Sequence, residues 1–245
     1  ESVLRHAIIQ KRFLKGTVSA PPSKSFSHRA VICAALSGEE CLISPLVFSQ
    51  DVLATIDGMK SLGAEIEFFE NGIKIKGFKR PSEEVFVDCF DSGSTLRFLV
   101  PVAAALGIKT VFKRSESLAK RPIKVLLDAL EKAGVKSEIG EDFSLKISGK
   151  INPGEFSLPG DVSSQFVSGL LMALPMLEKS SKITLISRLE SSGYIEITAE
   201  VMKKFGVLTE QTENGFIIKG NQKYKPLDYT VEGDWSQAAF FIAMG

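Results

Sequence analysis

Three stretches of the chain end alike: MKSLGAEIEFFENGIKIKG from Met59, LEKAGVKSEIGEDFSLKISG from Leu130, and MKKFGVLTEQTENGFIIKG from Met202. Each reads as the last turn of an amphipathic helix, a glycine that ends it (Gly63, Gly134, Gly206), a strand, a tight turn and a second strand closing on glycine. Asn71-Gly72 and Asn214-Gly215 are strong hairpin signals. The capping glycines recur about every seventy residues, the mark of an internal repeat.

Upstream lies a second set of matches. PSKSFSHRAVICAAL from Pro22, DSGSTLRFLVPVAAAL from Asp91 and GDVSSQFVSGLLMAL from Gly160 each pass from polar residues into a run rich in Ala and Leu. A helix apolar nearly all round belongs in the centre of a fold, so only its start is free to be polar. Further helix starts recur at Asp51, Arg121 and Ser191. The repeat unit is predicted as βαβαββ, an α/β fold of three units related by pseudo-threefold symmetry, spanning about 22–90, 91–160 and 161–232. Glu232-Gly233-Asp234-Trp235-Ser236-Gln237 opens a fourth apolar helix, AAFFIAMG.

Thirty Lys and Arg against 29 Asp and Glu leave a net charge of +1, which argues against a nucleic-acid surface or a polybasic membrane patch. Anion binding therefore has to be local. Helix starts supply it, because their unpaired N–H groups and about half a positive charge attract anions without net basicity. With 44% hydrophobic residues, mean hydropathy +0.12, no secretory signal pattern and no apolar run long enough to span a membrane, a folded cytoplasmic protein is expected. Cys33, Cys41 and Cys89 fit neither a disulfide frame nor a metal ligand spacing, and no metal or other cofactor is expected.

The starts carry matched chemistry. Ser23-Lys24-Ser25 through Arg29 combines two cations with hydroxyls, and Gly93 offers close backbone approach with Arg97 one turn on. Ser163-Ser164-Gln165 supplies hydroxyls and an amide. Lys120-Arg121-Pro122 sets an arginine before a helix expected to begin at the proline. An ordinary cap with solvated charges accounts for any one of these, but not for all at repeat spacing.

Together, Ser23 to Arg29, Gly93 to Arg97, Lys120-Arg121-Pro122, Ser163-Ser164-Gln165, Tyr194-Ile195 and Glu232-Gly233-Asp234 resemble the enolpyruvyl transferases in order and spacing over the whole chain. The resemblance is to the branch that transfers the enolpyruvyl group of phosphoenolpyruvate to the 5-hydroxyl of shikimate 3-phosphate, releasing phosphate, in aromatic amino-acid biosynthesis. It implies one domain of a two-domain inside-out α/β barrel. Residues 1–21 would cross partly to the second domain, 22–232 would bind substrate, and 233–245 would begin the second domain, cut short by truncation.

Carried over by position, the resemblance implies that Lys24, Ser25, Arg29, Ser163, Ser164, Gln165, Ser191 and Tyr194 hold shikimate 3-phosphate. Lys24, Gly93, Arg121 and Gln165 would surround phosphoenolpyruvate, with Lys24 acting electrostatically and Asp51, Asp91 and Arg97 nearby. Glyphosate would compete with phosphoenolpyruvate. Proton-transfer groups would lie beyond Gly245, so this stretch alone is expected to bind shikimate 3-phosphate without turning over. Asp91 departs from the family's frequent Asn, and Ser192-Gly193 from a basic-proline pair. The alternatives are a transferase acting on UDP-N-acetylglucosamine, whose reactive cysteine is missing from Lys113 to Lys120, and a non-catalytic phosphometabolite or RNA-end binding domain.

Overall fold

A computed structural model describes residues 16–188 and 191–244; most of the 1–21 segment lies outside them. The first apolar run forms α1 (Lys24–Ser37), followed by β1 (Cys41–Ser44), α2 (Gln50–Ser61), β2 (Ala64–Phe69) and β3 (Gly72–Phe78). The second unit runs β4 (Val85–Asp88), α3 (Gly93–Leu106), β5 (Thr110–Lys113), the short α4 (Glu116–Ala119), α5 (Lys124–Lys132), β6 (Lys136–Ile139) and β7 (Leu145–Ser148). The third runs β8 (Glu155–Leu158), α6 (Ser164–Ala173), β9 (Ser181–Leu185), α7 (Ser192–Lys204), β10 (Glu210–Thr212) and β11 (Gly215–Ile218), before β12 (Tyr229–Thr230) and α8 (Trp235–Met244).

Each unit builds one four-stranded sheet with the same order: β12-β1-β3-β2, β4-β5-β7-β6 and β8-β9-β11-β10. The first pair of every sheet is parallel and the others antiparallel. Counting from helix starts puts β4 and β8 at the ends of the first and second units. Their pairing with β5 and β9 places them instead at the beginnings of the second and third. The first unit takes its leading strand from the far end of the sequence, where Tyr229 and Thr230 pair with Ile43 and Ser44.

Helix ends follow their residues. Gly63, Gly134 and Gly206 have φ of 118°, 94° and 79°, a left-handed conformation that glycine adopts without steric cost, so α2, α5 and α7 stop at equivalent places. Helices α1, α3 and α6 are buried along most of their length. The sheets cover them through alternating inward residues such as Ile43, Ile73, Phe112, Ile147, Ile183 and Ile218. Each such side chain contributes about 1.5–3 kcal/mol through burial. Cys33, Cys41 and Cys89 are free thiols inside this core, and burial raises the pKa of each.

Helices α3 and α6 pack closely at one point. Pro101 lacks the N–H that would bond the Arg97 carbonyl one turn back, and that carbonyl faces Gly169 of α6. Helix α8 is capped as its sequence suggests, with Asp234 Oδ1 accepting from the Ser236 and Gln237 amides at 2.8 and 3.2 Å. Among the described residues no helix is long and apolar enough to cross a membrane.

Candidate functional site

The polar starts of α1, α3, α6 and α7 meet around one cavity of about 420 Å³. It is lined by Lys24, Ser25, Arg29, Ser94, Phe98, Gly160, Asp161, Val162, Ser163, Ser164, Gln165, Ser191 and Tyr194. All the residues expected to hold shikimate 3-phosphate are therefore brought together, although they come from distant parts of the chain.

Ser163 caps α6, accepting from the Gln165 amide at 3.2 Å, and Ser164 is the first helical residue. Ser191 precedes α7 with φ 58° and ψ 44°, a left-handed conformation that costs a serine about 1–2 kcal/mol, and its hydroxyl makes no capping bond. The hydroxyl of Ser23 likewise leaves the start of α1 uncapped. N–H groups at these starts are available to an anion.

Arg29 is 3% exposed, and its guanidinium lies 4.9 Å from the Phe98 ring centre. Its Nε donates to Thr198 Oγ1 at 2.6 Å and its Nη1 to the Ser25 carbonyl at 2.8 Å. Its Nη2 donates to the Tyr194 carbonyl at 3.0 Å and to Ser168 Oγ at 3.5 Å. All these acceptors are neutral, and burial lowers its pKa to about 10. Among the described residues every ion pair uses a lysine and none an arginine. A buried guanidinium without a counter-ion favours an incoming anion.

A second cluster adjoins the cavity. Arg97 Nη1 donates to Gln165 Oε1 at 2.7 Å and its Nη2 to the Pro122 carbonyl at 3.0 Å, while Gln165 Nε2 donates to Ser94 Oγ at 2.9 Å. A Cβ on Gly93 would stand 3.0 Å from Arg97 Nη1, 3.7 Å from Arg121 Nη1 and 3.7 Å from Gln165 Oε1. Gly93, Arg97, Arg121 and Gln165 thus share one neighbourhood. Burial, and then the charge of Arg121, lowers the pKa of Arg97. Lys24 Nζ meets Asp51 Oδ2 at 2.7 Å, which partly neutralises that lysine.

One expectation of local structure changes. The helix after Arg121 begins at Lys124 and not at Pro122, because the Arg121 amide closes the preceding turn on the Leu118 carbonyl. Ser92 caps α3, and the Asp91 carboxylate accepts from the Ser115 hydroxyl, while its carbonyl accepts from Arg121 at 3.3 Å. Ser94, Phe98, Gly160, Asp161 and Val162 also line the cavity, though the sequence reading does not assign them to it. Ser94 and Phe98 were legible as one face of α3, a turn apart. Asp161 is held by the Ser187 hydroxyl at 2.6 Å, a contact no spacing reveals. Among the described residues no group of three or more His, Cys, Asp and Glu is placed to hold a metal ion.

Comparison with known proteins agrees with this arrangement. The family model described as EPSP synthase (3-phosphoshikimate 1-carboxyvinyltransferase) matches residues 9–245. The 3-phosphoshikimate 1-carboxyvinyltransferase of Clostridium perfringens strain 13 is 46% identical over 99% of this chain, and that of Clostridium novyi is 45% identical over 95%. The chain spans 58% and 56% of those relatives' lengths. An EPSP synthase from Acinetobacter baumannii superposes with a TM-score of 0.79 at 25% identity, covering 93% of this chain and 52% of that one. The fold is also that of the enolpyruvyl transferase NikO from Streptomyces tendae, at TM-score 0.70 and 15% identity, covering 94% of this chain and 54% of that one. With three βαβαββ units, converging helix starts and a family match over nearly its whole length, the chain belongs to the EPSP synthase (3-phosphoshikimate 1-carboxyvinyltransferase) family.

Proposed function

We propose that this chain supplies the shikimate 3-phosphate wall, and part of the phosphoenolpyruvate wall, of a transferase that moves the enolpyruvyl group to the 5-hydroxyl and releases phosphate. The observation that carries the reading is the meeting in one cavity of Ser163, Ser164, Ser191 and the buried Arg29, which has no carboxylate partner among the described residues. In this reading the serine hydroxyls and the N–H groups of α6 and α7 bind the 3-phosphate, and Arg29 with Ser25 takes the carboxylate. Gln165 and Tyr194 border the ring. Residues 22–232 act as the substrate-binding domain.

Lys24, Arg121 and Gln165 surround phosphoenolpyruvate at the close backbone approach offered by Gly93. Their fixed charges and dipoles hold two anions within reacting distance and stabilise negative charge that develops between them. Asp51 tempers Lys24, and Arg97 holds Gln165 in place. Proton transfer is assigned to residues outside this cavity, whose lining, among the described residues, holds no histidine and one carboxylate, Asp161. Glyphosate occupies the phosphoenolpyruvate side, and the protein works in the cytoplasm.

The substitution Gly93→Ala tests the assignment of the two sides. The added methyl would press on Arg97 Nη1 at 3.0 Å and stand in the space beside Arg121 and Gln165. With shikimate 3-phosphate saturating, phosphoenolpyruvate and glyphosate should each bind about tenfold more weakly, while shikimate 3-phosphate itself is unaffected. Unchanged affinity for both would remove Gly93 from that site.

A further inference from the structure

We infer that His28, which does not line the cavity, is a positioning residue that orders a buried, uncharged relay across α1, α2 and α3 and so sets the phosphoenolpyruvate side. The inference rests on the two-sided reading of the cavity given above. His28 Nδ1 lies 2.7 Å from Thr55 Oγ1, which lies 2.8 Å from Thr95 Oγ1. Thr95 Oγ1 in turn bonds Ser92 Oγ at 2.7 Å and the Asp51 carbonyl at 3.2 Å. All four side chains are buried, at 1%, 0%, 0% and 2% exposure for His28, Thr55, Thr95 and Ser92.

The proton order of the chain follows from counting donors. Thr95 has one hydroxyl hydrogen, given towards Ser92 or the Asp51 carbonyl. Thr55 must then donate to Thr95, and the Thr55 oxygen must accept from His28. In this order His28 is the Nδ1–H tautomer, and Nε2, which has no partner among the described residues, carries no proton. Burial, with Arg29 adding to it, lowers the pKa of this ring to about 3, so the relay stays neutral.

What the relay holds is specific. Lys24 and His28 lie one turn apart on α1, as do Asp51 and Thr55 on α2, so the exposed Lys24–Asp51 pair and the buried His28–Thr55 bond are successive rungs between the two helices. At its other end Ser92 caps α3, whose first residue is Gly93. The relay thus fixes Lys24 and Gly93 relative to each other, while the Ser163, Ser164 and Ser191 starts lie outside it.

The test replaces Thr55 with valine, similar in shape but without the hydroxyl, and with serine, which keeps it. Phosphoenolpyruvate is titrated with shikimate 3-phosphate saturating, and shikimate 3-phosphate is titrated alone. The expected result is an approximately tenfold loss of phosphoenolpyruvate affinity in Thr55→Val, recovery in Thr55→Ser, and shikimate 3-phosphate affinity within about twofold of the parent. Equal loss of both ligands, or loss of neither, overturns the inference and leaves the cavity assignment standing. A parent chain that binds no shikimate 3-phosphate overturns both. Nitrogen-15 spectra of the parent His28 ring, identified through His28→Asn, decide the matter even if the valine variant does not fold. They should show a protonated Nδ1 and a bare Nε2, and the opposite tautomer overturns the relay.

Discussion

Replacing Gly169 with alanine is expected to destabilise the fold by about 2 kcal/mol, lowering the melting temperature by about 4–8 °C. Helix propensity alone would favour the alanine by about 1 kcal/mol. The outcome is decided by the opposing helix, since the new Cβ would stand 2.3 Å from the Arg97 carbonyl and 2.9 Å from Pro101 Cγ. That carbonyl belongs to backbone, so relief requires α6 to move away from α3. The helices carry Gln165 and Gly93 at their starts, and separation stretches the Arg97–Gln165 bond of 2.7 Å. Thermal unfolding followed by circular dichroism checks the effect, and an unchanged or raised melting temperature would mean that the helices are not held this closely.

The second large effect is expected at Arg29. In Arg29→Lys the charge remains, but one ammonium replaces a planar fork that spans Thr198, Ser168 and the carbonyls of Ser25 and Tyr194. Affinity for shikimate 3-phosphate should fall about 100-fold, equivalent to about 2.7 kcal/mol. The urea midpoint should fall as well, because hydrogen bonds to a charged group contribute about 1.5–3 kcal/mol each and several are lost at once. Binding within threefold of the parent would show that Arg29 serves only to tie α1 to α6 and α7.

Much of this was legible in the order of residues alone. The glycines at 63, 134 and 206 act as helix stops, and Asn71-Gly72 and Asn214-Gly215 lie at the hairpins between β2 and β3 and between β10 and β11. These signals are local, and backbone geometry enforces them wherever they occur. The helix starts were readable for the same reason, since a polar residue ahead of an apolar run marks the turn at which a buried helix reaches the surface.

What escaped the sequence depends on partners far along the chain. Tyr229 and Thr230 are too few to show alternation, and only their pairing with Ile43 and Ser44 makes them the first strand of the first sheet. The direction of the Asp91 carboxylate is set by Ser115, and the role of Arg97 by Gln165 in the next unit. His28 Nδ1 meets Thr55, and Thr55 meets Thr95, across three helices from two units, contacts that no spacing along the chain shows.

The central claim, that converging helix starts form a phosphate site, is tested most directly by titration calorimetry of this 245-residue chain with shikimate 3-phosphate and, in parallel, shikimate. The phosphate is assigned to Ser163, Ser164, Ser191 and the helix N–H groups, so shikimate 3-phosphate should bind saturably and shikimate at least about 100-fold more weakly. Equal binding of the two, or no heat from shikimate 3-phosphate at about millimolar concentration, would contradict the assignment.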